Sequence, residues 1–226
     1  MPITTFNIAA GVDDGVAYRD VGFTPAKGVA NSGNFVTIND WMSGGVNGSI
    51  RQGYLRFPVT LPAGLTSADV NSASLKIWMS TSVPYAWAGN IAARNSQSPA
   101  NPNATSSGYK SVFPGYPSYN PTTGPTATFT ISNAGTSKTN FNLVNGPTGL
   151  DVKTLIGNLV DSYDYSGGSH IMLFVRTPNY LTSFHPRGHL YQKDWDTGGG
   201  RVPSLVIDYT AAPAALEPDR TTYRYG

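Results

Sequence analysis

Cysteine is absent from the 226 residues, which excludes a disulfide framework and every cysteine-based metal site. The absence suits a chain that folds in a reducing compartment. Charge is scarce as well. Asp, Glu, Lys and Arg make up 12% of the chain, against roughly 25% in an average domain. The formal net charge of +2 is too small and too scattered for a nucleic-acid stripe, so no nucleic-acid partner is expected. Glu217 is the only glutamate, whereas a glycosidase needs two positioned carboxylates. No serine sits in a nucleophile elbow, and no glycine-rich run opens a helix as a phosphate cradle. No enzymatic activity is therefore expected, and hydrolase or lyase assays on polysaccharides should be blank. No apolar run approaches the ~20 residues of a membrane span. The segment Met1-Pro-Ile-Thr-Thr-Phe6 has neither the basic stretch nor the apolar run of a signal peptide, so neither a leader nor a membrane partner is expected.

What the chain has instead is strand chemistry. Tyr54 to Leu61 is rich in Tyr, Phe, Val and Thr, residues that fit a pleated, half-buried surface. Pro62-Ala63-Gly64 breaks it. Ala73, Leu75 and Ile77 then alternate against Ser74, Lys76 and Trp78, which predicts a strand to Ser80. Further strands are expected over 3–10, 16–21, 35–38, 87–94, 126–132, 140–145, 170–176, 188–193 and 205–210. Asn133-Ala134-Gly135, between the strands expected over 126–132 and 140–145, resembles a hairpin turn. Many short strands at this spacing indicate a sandwich or jelly roll. At this length, roughly 70% of the unfolded surface should be buried, enough for a core without staples.

One segment has the helical period. Leu155, Ile156, Leu159, Val160 and Tyr163 share a face. Asp151 is the expected N-cap and Gly167-Gly168 the expected stop, giving one short helix over about 151–163.

Two segments are not core. Residues 95–125 carry six of the 17 prolines together with Tyr109, Tyr116 and Tyr119, too proline-rich for a central strand and longer than structureless loops usually are without a function. Residues 211–226 follow the last strand and read as an extended tail. Such tails stay disordered unless they dock. Leu216, Arg220, Tyr223, Arg224 and Tyr225 are its candidate contact residues, because Tyr and Arg dominate binding hot spots.

The stretch containing Arg51, Leu55, Arg56, Phe57, Leu61, Pro62, Gly64, Val70, Ala73, Leu75 and Ile77 resembles the central signature of the DNRLRE family. The likeness continues in outline over residues 4–210, through a helix near 151–163 and a closing strand Pro203-Ser-Leu-Val-Ile-Asp-Tyr209. It departs at 191–194, where the family's S-x-E element becomes Tyr191-Gln192-Lys193-Asp194, and in the long 95–125 segment. The resemblance implies a β-sandwich with no catalytic apparatus of its own, and so a binding or scaffolding role.

The remaining polar candidates are sparse. His185 and His189 have a spacing that would suit a metal on a helix, but Pro186 and Gly188 exclude a helix there. Asp13, Asp14, Asp194 and Asp196 offer oxygens to calcium without the spacing of a calcium loop, so no cofactor is expected. Trp78 and Trp87, with Tyr109, Tyr116 and Tyr119, form the candidate platform for a sugar or a protein partner. The surface is low in Lys, Glu and Asp and has 13 tyrosines, the bias of an interface.

The expectation is an all-β protein: a jelly-roll-like antiparallel sandwich over 1–210 and a tail over 211–226. Its expected role is structural, in a bacteriophage virion, as a capsid decoration protein on the particle surface. A major capsid protein and further copies of the chain are the expected partners. The alternative is a carbohydrate-binding module of a phage tail or adhesin that recognises a host glycan.

Overall fold

A computed structural model describes residues 2–10, 13–21, 27–30, 35–43, 47–80, 87–102, 127–131, 141–143, 148–176, 188–191 and 200–210. The strands are β1 (Ile3–Asn7), β2 (Asp14–Val21), β3 (Lys27–Ala30), β4 (Phe35–Ser43), β5 (Asn47–Val59), β6 (Val70–Lys76), β7 (Trp78–Ser80), β8 (Trp87–Ala93), β9 (Ala127–Ile131), β10 (Phe141–Leu143), β11 (Leu150–Asp151), β12 (Ser169–Arg176), β13 (Gly188–Tyr191) and β14 (Ser204–Tyr209). A single helix among the described residues, α1 (Lys153–Ser162), lies between β11 and β12.

Among the described residues every pairing is antiparallel, and two sheets face each other. The smaller runs β1-β14-β6-β11, and the larger contains β5-β12-β8-β9. Numbered by chain order, these eight strands read 1-8-3-6 against 2-7-4-5, the doubled Greek key of a jelly roll. Alternation fixes the register. Leu55, Phe57 and Val59 of β5, Leu173 and Val175 of β12, Leu75 of β6, and Leu205 and Ile207 of β14 all turn into the space between the sheets, with Ile77 just beyond β6. Each is at most 2% exposed. A one-residue slip in any of these strands would carry its whole apolar set to the other face, so the register is strongly specified.

The connections have a regular placement. β1 ends at Asn7 opposite Ser204, where β14 begins, and β6 ends at Lys76 opposite the same residue. β8 begins with Trp87 opposite Ile131, where β9 ends. Four connections therefore leave from one end of the sandwich, and each supplies one strand to an added sheet of order β10-β7-β13-β4, which joins the larger sheet through β5. At the opposite end lie the β5–β6 turn, the start of the β8–β9 connection, the α1–β12 turn and Thr210.

Three expectations change here. The strand expected over 73–80 splits at Ile77: β6 pairs with β14 in the smaller sheet, and β7 pairs with β10 and β13. The expected hairpin between 126–132 and 140–145 does not form, because β9 pairs with β8 and β10 pairs with β7. The helix ends at Ser162, where Tyr163 is already extended (φ −142°, ψ 140°), well before Gly167-Gly168. At its start Val152 is the N-cap residue, and Asp151 acts from one position earlier, its Oδ1 accepting from the Lys153 amide at 2.9 Å. The expected face is otherwise observed, with Leu155, Ile156, Leu159 and Val160 buried and Tyr163 half-buried.

Gly149 sits where the chain enters β11. Its φ is +80°, and a Cβ there would stand 2.6 Å from the Leu75 carbonyl oxygen. Both the left-handed backbone and the close approach demand glycine. Gly149→Ala is expected to cost about 2 kcal/mol or more, read as a lower midpoint in denaturant with an unchanged slope.

Candidate functional site: the tail end of the sandwich

The end opposite the added sheet is the better built. The β5–β6 connection turns through Pro62-Ala63-Gly64 into a 3₁₀ turn, Ser67–Asp69. Thr66 and Asp69 cap that turn reciprocally: the Thr66 amide and hydroxyl donate to Asp69 Oδ2 at 2.9 and 2.7 Å, a capping box. Asp161, in the last turn of α1, accepts the Ser67 amide at 2.7 Å, which fastens the helix to the turn. The Leu61 amide donates to the Tyr165 carbonyl at 3.3 Å. The chain following α1 is therefore tied to the turn on both sides.

The β8–β9 connection starts against the same surface. Tyr163 donates its hydroxyl to Asn95 Oδ1 at 2.9 Å. The Gln97 side chain donates to the Asp164 carbonyl, and the Ser169 hydroxyl donates to the Gln97 carbonyl. Asp164 itself accepts from the amide and hydroxyl of Ser166 at 2.9 and 3.0 Å. The root of the tail is here as well. The Thr210 amide donates to the Asp69 carbonyl at 2.8 Å, and the Tyr209 amide to Pro2 at 3.3 Å. Both segments that the sequence marks as non-core thus leave from one end of the molecule.

A cleft of about 190 Å³ opens in this end. Leu61, Pro62, Leu65 and Val160 give it apolar walls, and Asp161 and Asp164 contribute carboxylates. Hydrogen bonds from Ser67 hold Asp161 below the usual carboxylate range, and those from Ser166 do the same for Asp164. Tyr165 also lines the cleft; it is 2% exposed, and its hydroxyl has no partner among the described residues. Burial, and next the proximity of Tyr163, push the Tyr165 phenol well above the ordinary tyrosine value. Burial, followed by Asp14 and Asp13, does the same to Tyr54. A raised pKa means the folded state holds the proton more tightly than the unfolded state. The associated stability is complete below the unfolded tyrosine value near pH 10 and is lost as pH rises beyond it. Titrating the phenolate absorbance should therefore show Tyr54 and Tyr165 ionising only as the protein unfolds at alkaline pH.

The long segment begins by folding back onto the sandwich. Arg56 lies out of phase with Leu55 and Phe57, on the outer side of the larger sheet. Its Nη1 donates to Asp13 Oδ1 at 2.6 Å and its Nε to the Pro99 carbonyl at 2.9 Å. Asn101 Nδ2 reaches the same Asp13 oxygen at 3.4 Å. Pro99 and Pro102 are buried. On this face Gln52, Tyr54, Met172, Phe174 and Ala92 are at most 1% exposed, so the larger sheet is covered on both sides.

The expected site residues are distributed as follows. Asp13, a candidate calcium ligand, places its Oδ1 on Arg56 instead, and Asp14 is wholly buried at the first position of β2. No group of three or more His, Asp or Glu able to hold a metal occurs among the described residues. Trp78 is half-buried and opposite Leu143 in the added sheet. Trp87 opens β8 at that same end, remote from the tail, and its side chain lies outside the described residues. Tyr109, Tyr116, Tyr119, Asp194, Asp196, Leu216, Arg220, Tyr223, Arg224 and Tyr225 also lie outside them. Sequence reasoning did not single out Asp161, Asp164 or Tyr165. The only signal was a polar run, Asp161-Ser-Tyr-Asp-Tyr-Ser166, directly after an amphipathic helix.

Among the described residues, no helix is long and apolar enough to cross a membrane. No protein-family model matches the chain, and no curated protein matches it. The fold and this end together define an antiparallel β-sandwich from one end of which a proline-rich segment and a tail bearing two tyrosines and two arginines both depart.

Proposed function

We propose that the chain is a non-enzymatic structural protein of a virion: a DNRLRE-like sandwich that decorates a bacteriophage capsid. In this reading the tail end is the attachment end. It meets a major capsid protein and neighbouring copies of the chain, and the added sheet faces away. The observation that carries the reading is the common departure point of the 95–125 segment and the tail, fixed by Tyr163–Asn95 on one side and Thr210–Asp69 on the other. Two segments leaving together can engage one neighbour, and the second contact then forms at high effective concentration. The low charge and abundant tyrosine also support an interface role. Prolines at 213 and 218 reduce the entropy that the tail loses on docking.

The test is reconstitution on particles stripped of the protein. Deleting residues 211–226 is expected to leave the sandwich folded, with an unchanged melting temperature, and to abolish attachment. Full occupancy by the truncated protein would remove the tail from the attachment role. If occupancy persists, and a glycan-array signal is lost in Trp78→Ala or Trp87→Ala, the chain is a carbohydrate-binding module instead.

A further inference from the structure

We propose that residues 95–102 are held on the sandwich by a proton-operated latch: the Arg56–Asp13 pair grips the segment while His170 is neutral, and the segment lifts when His170 gains a proton. The inference concerns the segment itself and does not rest on the virion reading.

The latch is built from neighbouring elements. Ile171 and Leu173 belong to the core, so His170 of β12 faces the outer side of the larger sheet. It pairs with Pro58, and the next outward residue of β12, Met172, pairs with Arg56. His170 and Arg56 are thus diagonal neighbours on one face, about 7 Å apart at Cβ. Two anchors of the segment flank the imidazole. The Ser169 hydroxyl donates to the Gln97 carbonyl, and Arg56 Nε donates to the Pro99 carbonyl at 2.9 Å. The chain therefore crosses this face beside His170, which is half-buried, and seats Pro99 and Pro102 in buried positions.

The surroundings of His170 oppose its protonation. Arg56 on β5 is a cation already. Arg94 follows β8 and donates its amide to the Met172 carbonyl at 2.9 Å, so a second cation stands one position further across the sheet. Residues 95–102 hold no titratable group. Asp13, before β2, is the carboxylate of the cluster, and its Oδ1 already accepts from Arg56 and Asn101. In the turn before β12, the Asp164 carboxylate accepts from Ser166, Tyr163 gives its hydroxyl to Asn95, and Tyr165 is buried. Burial first and Arg56 second hold His170 below its ordinary value, and Asp13 opposes them. The closed segment therefore favours the neutral imidazole. Opening returns the ring to water, where it ionises near pH 6.5. The grip that neutral His170 permits is complete above that value and is lost as pH falls through it towards the closed-state value. Gln97, Ser98 and Ala100 are exposed, and a stretch with few buried contacts opens at little cost. One added charge then decides its position.

The test is an NMR titration of the full chain from about pH 7.5 to about pH 5.5, above the ordinary carboxylate range. The His170 ring should titrate below its ordinary value. The amide resonances of 96–98, 100 and 101 should shift towards random-coil positions along the same curve, with order parameters falling from rigid to flexible values. Amides of β6 should stay in place, which reports an intact sandwich. His170→Gln is neutral at every pH and should keep the segment closed throughout. His170→Arg is charged at every pH and should hold it open at neutral pH. If His170→Arg does not fold, the wild-type and His170→Gln titrations decide alone. Segment amides that do not follow His170, the same transition in His170→Gln, or a closed segment in folded His170→Arg would each overturn the proposal.

Discussion

Phe57→Ala is expected to destabilise the protein by about 3–5 kcal/mol, the cost of losing a buried ring and leaving a cavity. Phe57 is 0% exposed and sits opposite Ile171 at the centre of the larger sheet. The core cluster it belongs to draws on both sheets and on α1, with Leu75, Leu155 and Leu173 among its members. These belong to elements fixed by hydrogen-bond ladders, so they have little freedom to collapse into the space. The measurement is a denaturant titration followed by two probes, fluorescence and far-ultraviolet dichroism. Coincident transitions with a lower midpoint are expected. A cost below about 1 kcal/mol would mean that the two sheets are not closely packed across Phe57.

Arg56→Ala is expected to cost about 3 kcal/mol by a different mechanism. Asp13 is 5% exposed, and removing the guanidinium leaves its carboxylate, among the described residues, with the long contact from Asn101. Breaking a largely buried pair by deleting one partner is expensive because the remaining charge stays out of water. The change also cuts the bond to the Pro99 carbonyl, so hydrogen exchange should rise at 95–102 before the core is affected. Arg56→Lys should recover only part of the loss, since a single ammonium does not reproduce a fork reaching two acceptors. His170 gives an independent readout. It is held below its ordinary value by burial first and by Arg56 second, so its titration should move upward in Arg56→Ala.

The sandwich was legible because its central strands obey a two-residue period on their inward face. Leu55-x-Phe57-x-Val59 and Leu205-x-Ile207-x-Tyr209 fix both location and register. The same period put Arg56 on the other side, but not its partner. Asp13 lies 43 positions away in sequence, before a strand that pairs along the free edge of β5. The added sheet was not legible as a sheet. Three of its four strands are three or four residues long and come from three different connections. Periodicity over so few residues does not choose a partner, which is why the Asn133-Ala-Gly135 segment suggested a hairpin that does not form. β3, Lys-Gly-Val-Ala, offers no alternation, and β11 is two residues long. In the tail end, the apolar face of α1 was readable from its spacing. The cleft was not, because it arises where Asp161 meets a turn 94 positions earlier.

The central claim is that the tail end, and not the added sheet, faces the particle. Hydrogen exchange of the protein on and off reconstituted capsids tests it most directly. Protection is expected at Leu61–Asp69, at the end of α1 through Ser166, and across residues 211–226, with β7, β10 and β13 exchanging alike in both states. Protection confined to β4, β7, β10 and β13, with the tail end unchanged, would contradict the account.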